Sequence, residues 1–221
     1  FLAMELLDGI DLHDLVKRFG VQPPARVVHI LEGMCSSLAE AHDKGLLHRD
    51  VTPSNVFVCR MGGEVDVVKV LDFGLVKRVA TAPGESQSGG STLTMEGTAM
   101  GTPGFMAPET IRALPSIDQR ADLYAVGCVA WWLLCGFRVL DKTTAMKTLI
   151  AHVEEAPPDI GASSTQPIPP DLAAIVMGLL AKSPDDRPPN AQAVLALLRR
   201  CEHYGQWSPS DRAIWWSHAE I

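Results

Sequence analysis

The chain has no pair of cysteines at a spacing that indicates a metal site or a disulfide framework. Its five cysteines stand singly among 221 residues, with no C-x-x-C pair and no companion His at metal-ligand spacing. Free cysteine is among the most buried residue types. We therefore predict reduced thiols, mostly in the core, in a chain that works in the cytoplasm.

Positive charge is also scarce. The chain has 19 Lys and Arg against 26 Asp and Glu, for a net charge of -7. Nucleic acids and anionic membranes are bound through clustered cations that displace counterions. The charge balance therefore argues against a nucleic-acid partner and against a broad membrane-binding face.

The sequence also lacks an apolar run of membrane-spanning length. The longest nearly apolar stretch, "LYAVGCVAWWLLCG" from Leu123, is shorter than the roughly 18 to 20 residues that a bilayer span requires. We predict that it forms a buried core helix. No signal sequence opens the chain, so we expect no membrane segment in these residues, while a parent protein with an anchor remains possible.

Helical periodicity is present over much of the chain. Apolar residues recur at spacings of three and four from Ala25 onward, and Gly45 offers a stop signal after them. Further helices are predicted over 119–135, 144–153, 170–182 and 190–203.

Two short β-branched runs, "NVFVC" and "VDVVKVLDF", flank the turn "RMGGE" and predict a hairpin. Asp50 precedes the first run and Asp72 ends the second. Both carboxylates are therefore expected at the same end of this hairpin.

Both ends of the chain carry apolar or aromatic residues. The density of apolar residues from Phe1 to Leu7 predicts a buried strand. Near the other end, Ser208 suits a helix N-cap, and the pair Trp215 and Trp216 follows it. We interpret the pair as a packing cap over the core, with a partner-docking role as the alternative.

Residues 46–55, "LLHRDVTPSN", place Asp50 five positions before Asn55. By itself such a pair often only caps a turn. Four more motifs follow it in order: "LDFG", "GTPGFMAPE", "DLYAVG" and "DDRP". The ordered combination is far more specific than any one of them.

This order of motifs resembles the eukaryotic-like (Hanks-type) protein kinases, and specifically their bacterial serine/threonine branch. The resemblance implies a mainly α fold: a protein-kinase-like C-terminal lobe, built as a helical bundle with a small β-hairpin at the catalytic loop. It divides the chain into a hinge remnant, a C-lobe with its catalytic loop and activation segment, and a Trp-rich capping helix. The hinge remnant covers 1–12, and the capping helix covers 204–221. The C-lobe covers 13–203 and includes the catalytic loop at 48–55 and the activation segment at 72–109.

By this resemblance the cofactors are ATP and Mg²⁺. Asp50 is expected to orient the substrate hydroxyl and accept its proton, while Asn55 and Asp72 hold the metal. Thr52 occupies a position where these kinases usually have a lysine directed at the γ-phosphate.

The resemblance also implies a nucleotide site at the start of the chain. Met4 corresponds to the gatekeeper, and the backbone of Glu5 and Leu7 to the groups that bind adenine. Asp11 corresponds to the ribose ligand, and Phe57 to the residue under the base. A plain buried strand followed by a turn is the alternative for this stretch.

Several further positions match structural residues of the family. Asp122 corresponds to the acid that ties the catalytic-loop backbone to the core helix, and Glu109 and Arg187 to a buried ion pair. His48 and Phe73 correspond to an internal column of packed side chains.

Protein substrates with Ser or Thr follow from "GTPGFMAPE", in which Thr102 matches the threonine near the catalytic aspartate. Arg49 and Lys77 suggest control by phosphorylation of the loop between Asp72 and Glu109. An unmodified loop is the alternative. The candidate sites are Ser88, Ser91, Thr92, Thr94 and Thr98.

One departure from the family is large. These residues contain no G-x-G-x-x-G and no V-A-I-K, the family's phosphate loop and strand lysine. We therefore expect a fragment that begins at the hinge, with its N-terminal β lobe absent, and that has little activity alone.

The leading interpretation is a protein serine/threonine kinase, catalytic as a full-length parent. A pseudokinase or protein-docking module is the alternative. A small-molecule phosphotransferase is disfavoured by the "APE" and "DDRP" motifs.

Overall fold

A computed structural model describes residues 5–72, 102–219 and 221. Its strands are β1 (Asp8–Asp11), β2 (Val56–Met61) and β3 (Glu64–Val70). Its helices are α1 (Leu12–Phe19), α2 (Pro24–Asp43), α3 (Pro108–Ile111), α4 (Arg120–Cys135), α5 (Ala145–Glu154), α6 (Ile160–Ser163), α7 (Pro170–Leu179), α8 (Ala191–Leu198) and α9 (Pro209–His218). Within the described ranges the fold is therefore mainly helical, as the sequence predicts.

Proline and glycine set the bounds of the long helix α2. Pro24 occupies the first helical position, where its missing N–H costs no hydrogen bond. At the other end the chain turns through Gly45, whose φ of +72° lies in the left-handed region and whose N–H donates to the carbonyl oxygen of His42 over 2.9 Å. The helix predicted from the apolar period is confirmed.

Helix α4 is the centre of the core. It covers most of the apolar run that begins at Leu123, and nearly every one of its residues is buried. Gly136 ends it with a φ of +81°. The predicted core helix is confirmed, and no helix in the described part of the chain is both long enough and apolar enough to cross a membrane.

The five cysteines are all buried free thiols among the described residues, as their single spacing predicts. Burial raises the pKa of the Cys35 and Cys128 thiols to about 12, so neither is a thiolate near neutral pH.

The sheet contains the predicted hairpin and one further strand. β2 and β3 pair antiparallel across the turn at Gly62 and Gly63, and β1 pairs antiparallel with the other edge of β2. In this register Asp11 lies opposite Phe57. The third strand, β1, places the residues before α1 along the edge of this hairpin.

The predicted buried strand from Phe1 to Leu7 is wrong where the structure describes it. Residues 5–7 are not in a strand, and Leu6 is 96% exposed. The ladder begins only at Asp8, which pairs with Arg60 next to the end of β2. A strand needs a partner for its backbone groups, and β2 offers none beyond this point.

The C-terminal helix α9 is bound to the hairpin through a buried charge. Asp66 of β3 pairs with Arg26 of α2, and both side chains are fully buried. The indole N–H groups of Trp207 and Trp216 donate to the Asp66 carboxylate over 2.7 and 2.8 Å. The guanidinium of Arg26 also lies 3.7 Å from the ring centre of Trp215. We refer to these five residues as the tryptophan clasp.

The clasp satisfies a charge that would otherwise be costly to bury. Burial raises the pKa of Asp66, but the Arg26 charge and the hydrogen bonds to both indoles outweigh it, so the pKa lies below its usual range. The segment 204–221, whose limits as a capping unit remain a prediction, thus contributes directly to the interior through Trp216.

Candidate active site

The backbone of the predicted catalytic loop is fixed from below by Asp122. This residue stands in the first turn of α4, and its carboxylate accepts the N–H of His48 over 2.9 Å and the N–H of Arg49 over 2.8 Å. Arg49 has a φ of +66°, which is unfavourable for a side chain of its size. The two hydrogen bonds hold this conformation, and the predicted role of Asp122 is confirmed.

A residue that the sequence reasoning missed completes this support. His42, near the end of α2, places Nε2 2.8 Å from Oδ2 of Asp122, and both side chains are 3% exposed. The signal in the sequence was a polar residue four positions after Leu38 on the apolar face of α2. Such a position predicts a buried partner, although it does not identify Asp122.

His48 connects the loop to the end of β3. Its Nδ1 accepts the N–H of Asp50 over 3.3 Å, and its Nε2 lies 2.7 Å from the carbonyl oxygen of Leu71. A carbonyl only accepts, so Nε2 is the donor in this contact. Phe73, the predicted neighbour of His48, lies outside the described residues.

Asn55 joins the loop to both Asp50 and the hairpin. Its Nδ2 donates to the backbone oxygen of Asp50 over 2.8 Å and to the Asp50 carboxylate over 3.2 Å. The backbone carbonyl oxygen of Asn55 accepts the N–H of Leu71 over 2.8 Å. With the amide hydrogens used in this way, Oδ1 of Asn55 is left as an acceptor.

Asp72 follows Leu71 directly, so the hydrogen bonds to the backbone of Leu71 also fix the position of the Asp72 backbone. It is exposed and has a φ of +58°. The structure thus brings Asp50 and Asn55 into contact and places Asp72 one residue from the backbone that both His48 and Asn55 hold.

The donor set suits a hard cation, because Asn55 and Asp72 offer amide and carboxylate oxygens. Among the described residues no group of three or more His, Cys, Asp or Glu is arranged to hold a metal ion. A cation here would need water or phosphate oxygens to complete its shell, which is usual for Mg²⁺.

Thr52 lies inside the loop and not on its surface. It is 6% exposed, and its extended backbone leads into the single 3₁₀ turn Pro53–Asn55. Its carbonyl oxygen accepts the N–H of Asn55 over 3.0 Å. The neutral side chain therefore occupies the base of the same turn that carries Asn55.

The residues predicted to bind the nucleotide are only partly brought together. Asp11 and Phe57 face each other across β1 and β2. The Oδ1 atom of Asp11 also caps α1, accepting the N–H groups of His13 and Asp14 over 2.9 Å each. Glu5 is exposed beside Lys69 at 3.8 Å, Leu7 is half-buried, and Met4 lies outside the described residues.

A cavity of about 330 Å³ opens beside Asp50. Thr102, Phe105 and Met106 form part of its wall, so the described part of the segment "GTPGFMAPE" faces the predicted catalytic loop. The candidate phosphorylation sites and Lys77 lie outside the described residues.

Beneath this segment, Glu109 and Arg187 form the predicted ion pair, which is confirmed. The two guanidinium nitrogens donate to the two carboxylate oxygens over 2.7 and 2.8 Å, with side-chain exposures of 3% and 0%. The remaining three N–H groups of Arg187 donate to backbone oxygens of Arg120, Ala181 and Lys182. All five donors of this buried cation are therefore used.

Comparison with known proteins agrees with this geometry. The family described as "Protein kinase domain" matches residues 1–197. The serine/threonine-protein kinase pkn3 of Myxococcus xanthus is 37% identical over 200 residues, which cover 90% of this chain and 36% of that protein. The serine/threonine-protein kinase PknB of Mycobacterium tuberculosis is 31% identical over 206 residues, which cover 93% of this chain and 31% of that protein. The chain thus spans about a third of the length of these relatives.

Solved structures show the same fold. The PknI kinase domain of Mycobacterium tuberculosis, as a double mutant, superposes with a TM-score of 0.63 at 26% identity, covering 89% of this chain and 64% of that one. A Rad53 structure gives a TM-score of 0.66 at 22% identity over 87% of this chain and 44% of that one, which supports the fold alone.

Proposed function

Because this chain belongs to the protein kinase family, we propose that the whole protein is a serine/threonine kinase that transfers the γ-phosphoryl group of ATP to protein hydroxyls. Kinases of this family use ATP and a divalent metal, and magnesium is the metal proposed here. The observation that carries the proposal is the bonding of Asn55 to both Asp50 and Leu71, because it gathers the base and the two metal ligands at one place.

Asp50 is the proposed base. The Asn55 amide donates to one of its carboxylate oxygens over 3.2 Å, which restricts the orientation of the carboxylate. Phosphoryl transfer depends mostly on positioning and on stabilising charge, so a carboxylate that receives the hydroxyl proton at a fixed place is what the step needs.

Asn55 through Oδ1 and Asp72 through its carboxylate would hold Mg²⁺. The bound ion would neutralise the charge of the β- and γ-phosphates. Around the nucleotide, we propose that Asp11 and Phe57 contact ribose and base, and that the backbone of Glu5 and Leu7 contacts adenine.

Protein substrates are proposed from the cavity beside Asp50. Its wall of Thr102, Phe105 and Met106 gives an extended peptide an apolar surface next to the base. The serine/threonine specificity in the names of the relatives supports hydroxyl side chains as acceptors.

The test is transfer of labelled γ-phosphate by the whole protein to a mixed protein substrate, with phosphosites located by mass spectrometry. We expect label on Ser and Thr, and we expect Asp72→Asn to reduce the rate by at least about 10²-fold through loss of a metal ligand. Asp14→Asn is the matched control, because the Asp14 carboxylate is exposed in the first turn of α1. Undiminished transfer by Asp72→Asn across a range of Mg²⁺ concentrations would reject the metal site.

A pseudokinase or docking module is the second candidate, favoured by the neutral Thr52 in the predicted catalytic loop. We propose that the 221 residues bind Mg·ATP only weakly by themselves, because no lysine or glycine loop among them covers the phosphates. Calorimetric titration of the 221 residues with Mg·ATP tests this proposal. Tight binding by these residues alone would contradict it.

Thr52→Lys in the whole protein is expected to raise the rate of transfer. A lysine supplies positive charge where charge develops, and one such group is commonly worth about 10²–10³-fold in rate. Thr52→Met is the control, because it adds length without charge. Steady-state kinetics with saturating ATP measures the effect; equal rates for the Lys and Met variants would show that the charge is supplied elsewhere.

A further inference from the structure

A second polar cluster joins α4, α5 and the residues that follow α7. Nζ of Lys182 donates to the backbone oxygen of His152 over 2.8 Å and to the hydroxyl oxygen of Tyr124 over 3.3 Å. The Tyr124 hydroxyl lies 2.8 Å from Nδ1 of His152. We refer to Lys182, Tyr124 and His152 as the lysine cluster.

The surroundings of Lys182 disfavour its positive charge. Its amine is half-buried, and the cations of Arg187 and Arg112 act on it. Among the described residues no carboxylate forms an ion pair with it, since the nearby Glu155 binds Lys142 at 2.6 Å. Burial above all, with the two cations, lowers the pKa of Lys182 to about 8, against the opposing effects of Glu155 and the Cys128 thiol.

The other members of the cluster remain neutral near pH 7. Burial lowers the pKa of His152 to about 4, so its ring is uncharged near pH 7, and Nδ1 and the Tyr124 hydroxyl are hydrogen-bonded. Burial likewise raises the pKa of the Tyr124 phenol. Neither group therefore supplies a negative charge that would hold Lys182 as a cation.

We propose that Lys182 is a modification site, acylated on Nζ by small activated acyl donors of the acyl-phosphate class. The lone pair of neutral Nζ attacks the acyl carbon, and a C–N bond forms. The C–O bond to phosphate then breaks, the phosphate leaves with the electron pair, and Nζ loses a proton to water. The reaction needs no oxidant or reductant, and it does not depend on the proposed phosphoryl transfer.

The product is compatible with the site. The new amide keeps one N–H, which can still donate to the His152 oxygen, whereas the contact with Tyr124 and the positive charge beside Arg187 are lost. Two other lysines provide internal comparison because each forms an ion pair with a carboxylate: Lys44 with Glu40 at 2.7 Å and Lys142 with Glu155 at 2.6 Å.

The test treats the folded 221-residue chain with acetyl phosphate from pH 6.5 to 10.5 and measures acetylation of each lysine by quantitative mass spectrometry. At pH 7.5 we expect Lys182 to react about tenfold faster than Lys44 and Lys142. The lower pKa gives it about 10² more neutral amine, and weaker nucleophilicity offsets part of that gain.

The pH profile provides the second readout. The rate at Lys182 should level off above about pH 8, roughly two pH units below the pKa of an ordinary lysine amine. Lys182→Arg confirms the peptide assignment by loss of that signal alone. Labelling of Lys182 no faster than the two paired lysines, or a rate at Lys182 that keeps rising through pH 10, would overturn the proposal.

Discussion

Asp50→Asn in the whole protein is expected to lower the maximal rate of phosphoryl transfer by about 10²–10⁴-fold, the usual contribution of a positioned general base. The substitution removes the carboxylate that we propose as the proton acceptor and changes little else. The Asn55 amide now donates to one oxygen of Asp50, and a new asparagine offers a carbonyl oxygen to the same donor. The loop should therefore keep its conformation.

Steady-state kinetics separates this effect from a structural one. We expect the maximal rate to fall while KM for ATP and the thermal midpoint stay close to their original values. Asp14→Asn serves again as the surface control. A maximal rate that falls less than about tenfold would argue against Asp50 as the base, and a matching fall in the thermal midpoint would assign the loss to unfolding.

Arg187→Ala is expected to destabilise the chain by about 3–5 kcal/mol, because it leaves the Glu109 carboxylate buried without its counter-charge. The contact is bidentate, and the guanidinium also satisfies three backbone oxygens, so one truncation removes five hydrogen bonds. For a domain of this size we expect the thermal midpoint to fall by about 10 °C.

Arg120→Ala is the matched control, since Arg120 also binds two carboxylates, Asp118 and Asp185, but in partly solvated positions. Exposed pairs of this kind are worth about 0–1 kcal/mol. Urea unfolding of both variants measures the difference. Similar losses for Arg120→Ala and Arg187→Ala would mean that burial does not set the value of the Glu109 pair.

The sequence predicted those features that depend on nearby residues. Apolar period and end signals predicted α2 and the core helix α4 with bounds within a few residues. The motif order also led to the Asp122 hydrogen bonds and the Glu109–Arg187 pair, both of which the structure confirms.

Contacts between distant residues were predicted only where the motifs of the family resemblance identified both partners. His42 and Asp122 are 80 positions apart, and neither local pattern refers to the other. Strand β1 was misplaced for the same reason. The apolar run from Phe1 looked like a strand, yet the available partner edge of β2 begins opposite Asp8. The side-chain pattern indicates which residues can form a strand. The strand forms only where a partner strand lies beside it.

The tryptophan clasp also affects how this chain is made. Trp216 lies 150 positions after Asp66, so a ribosome that adds about 5–20 residues per second completes the hairpin roughly 8–30 s before it adds the second indole. During that interval Asp66 is paired with Arg26 but lacks the hydrogen bonds from the indoles of Trp207 and Trp216. The buried ion pair is therefore less stable in the nascent chain than in the finished fold. The final packing of the tryptophan clasp therefore waits for the synthesis of α9.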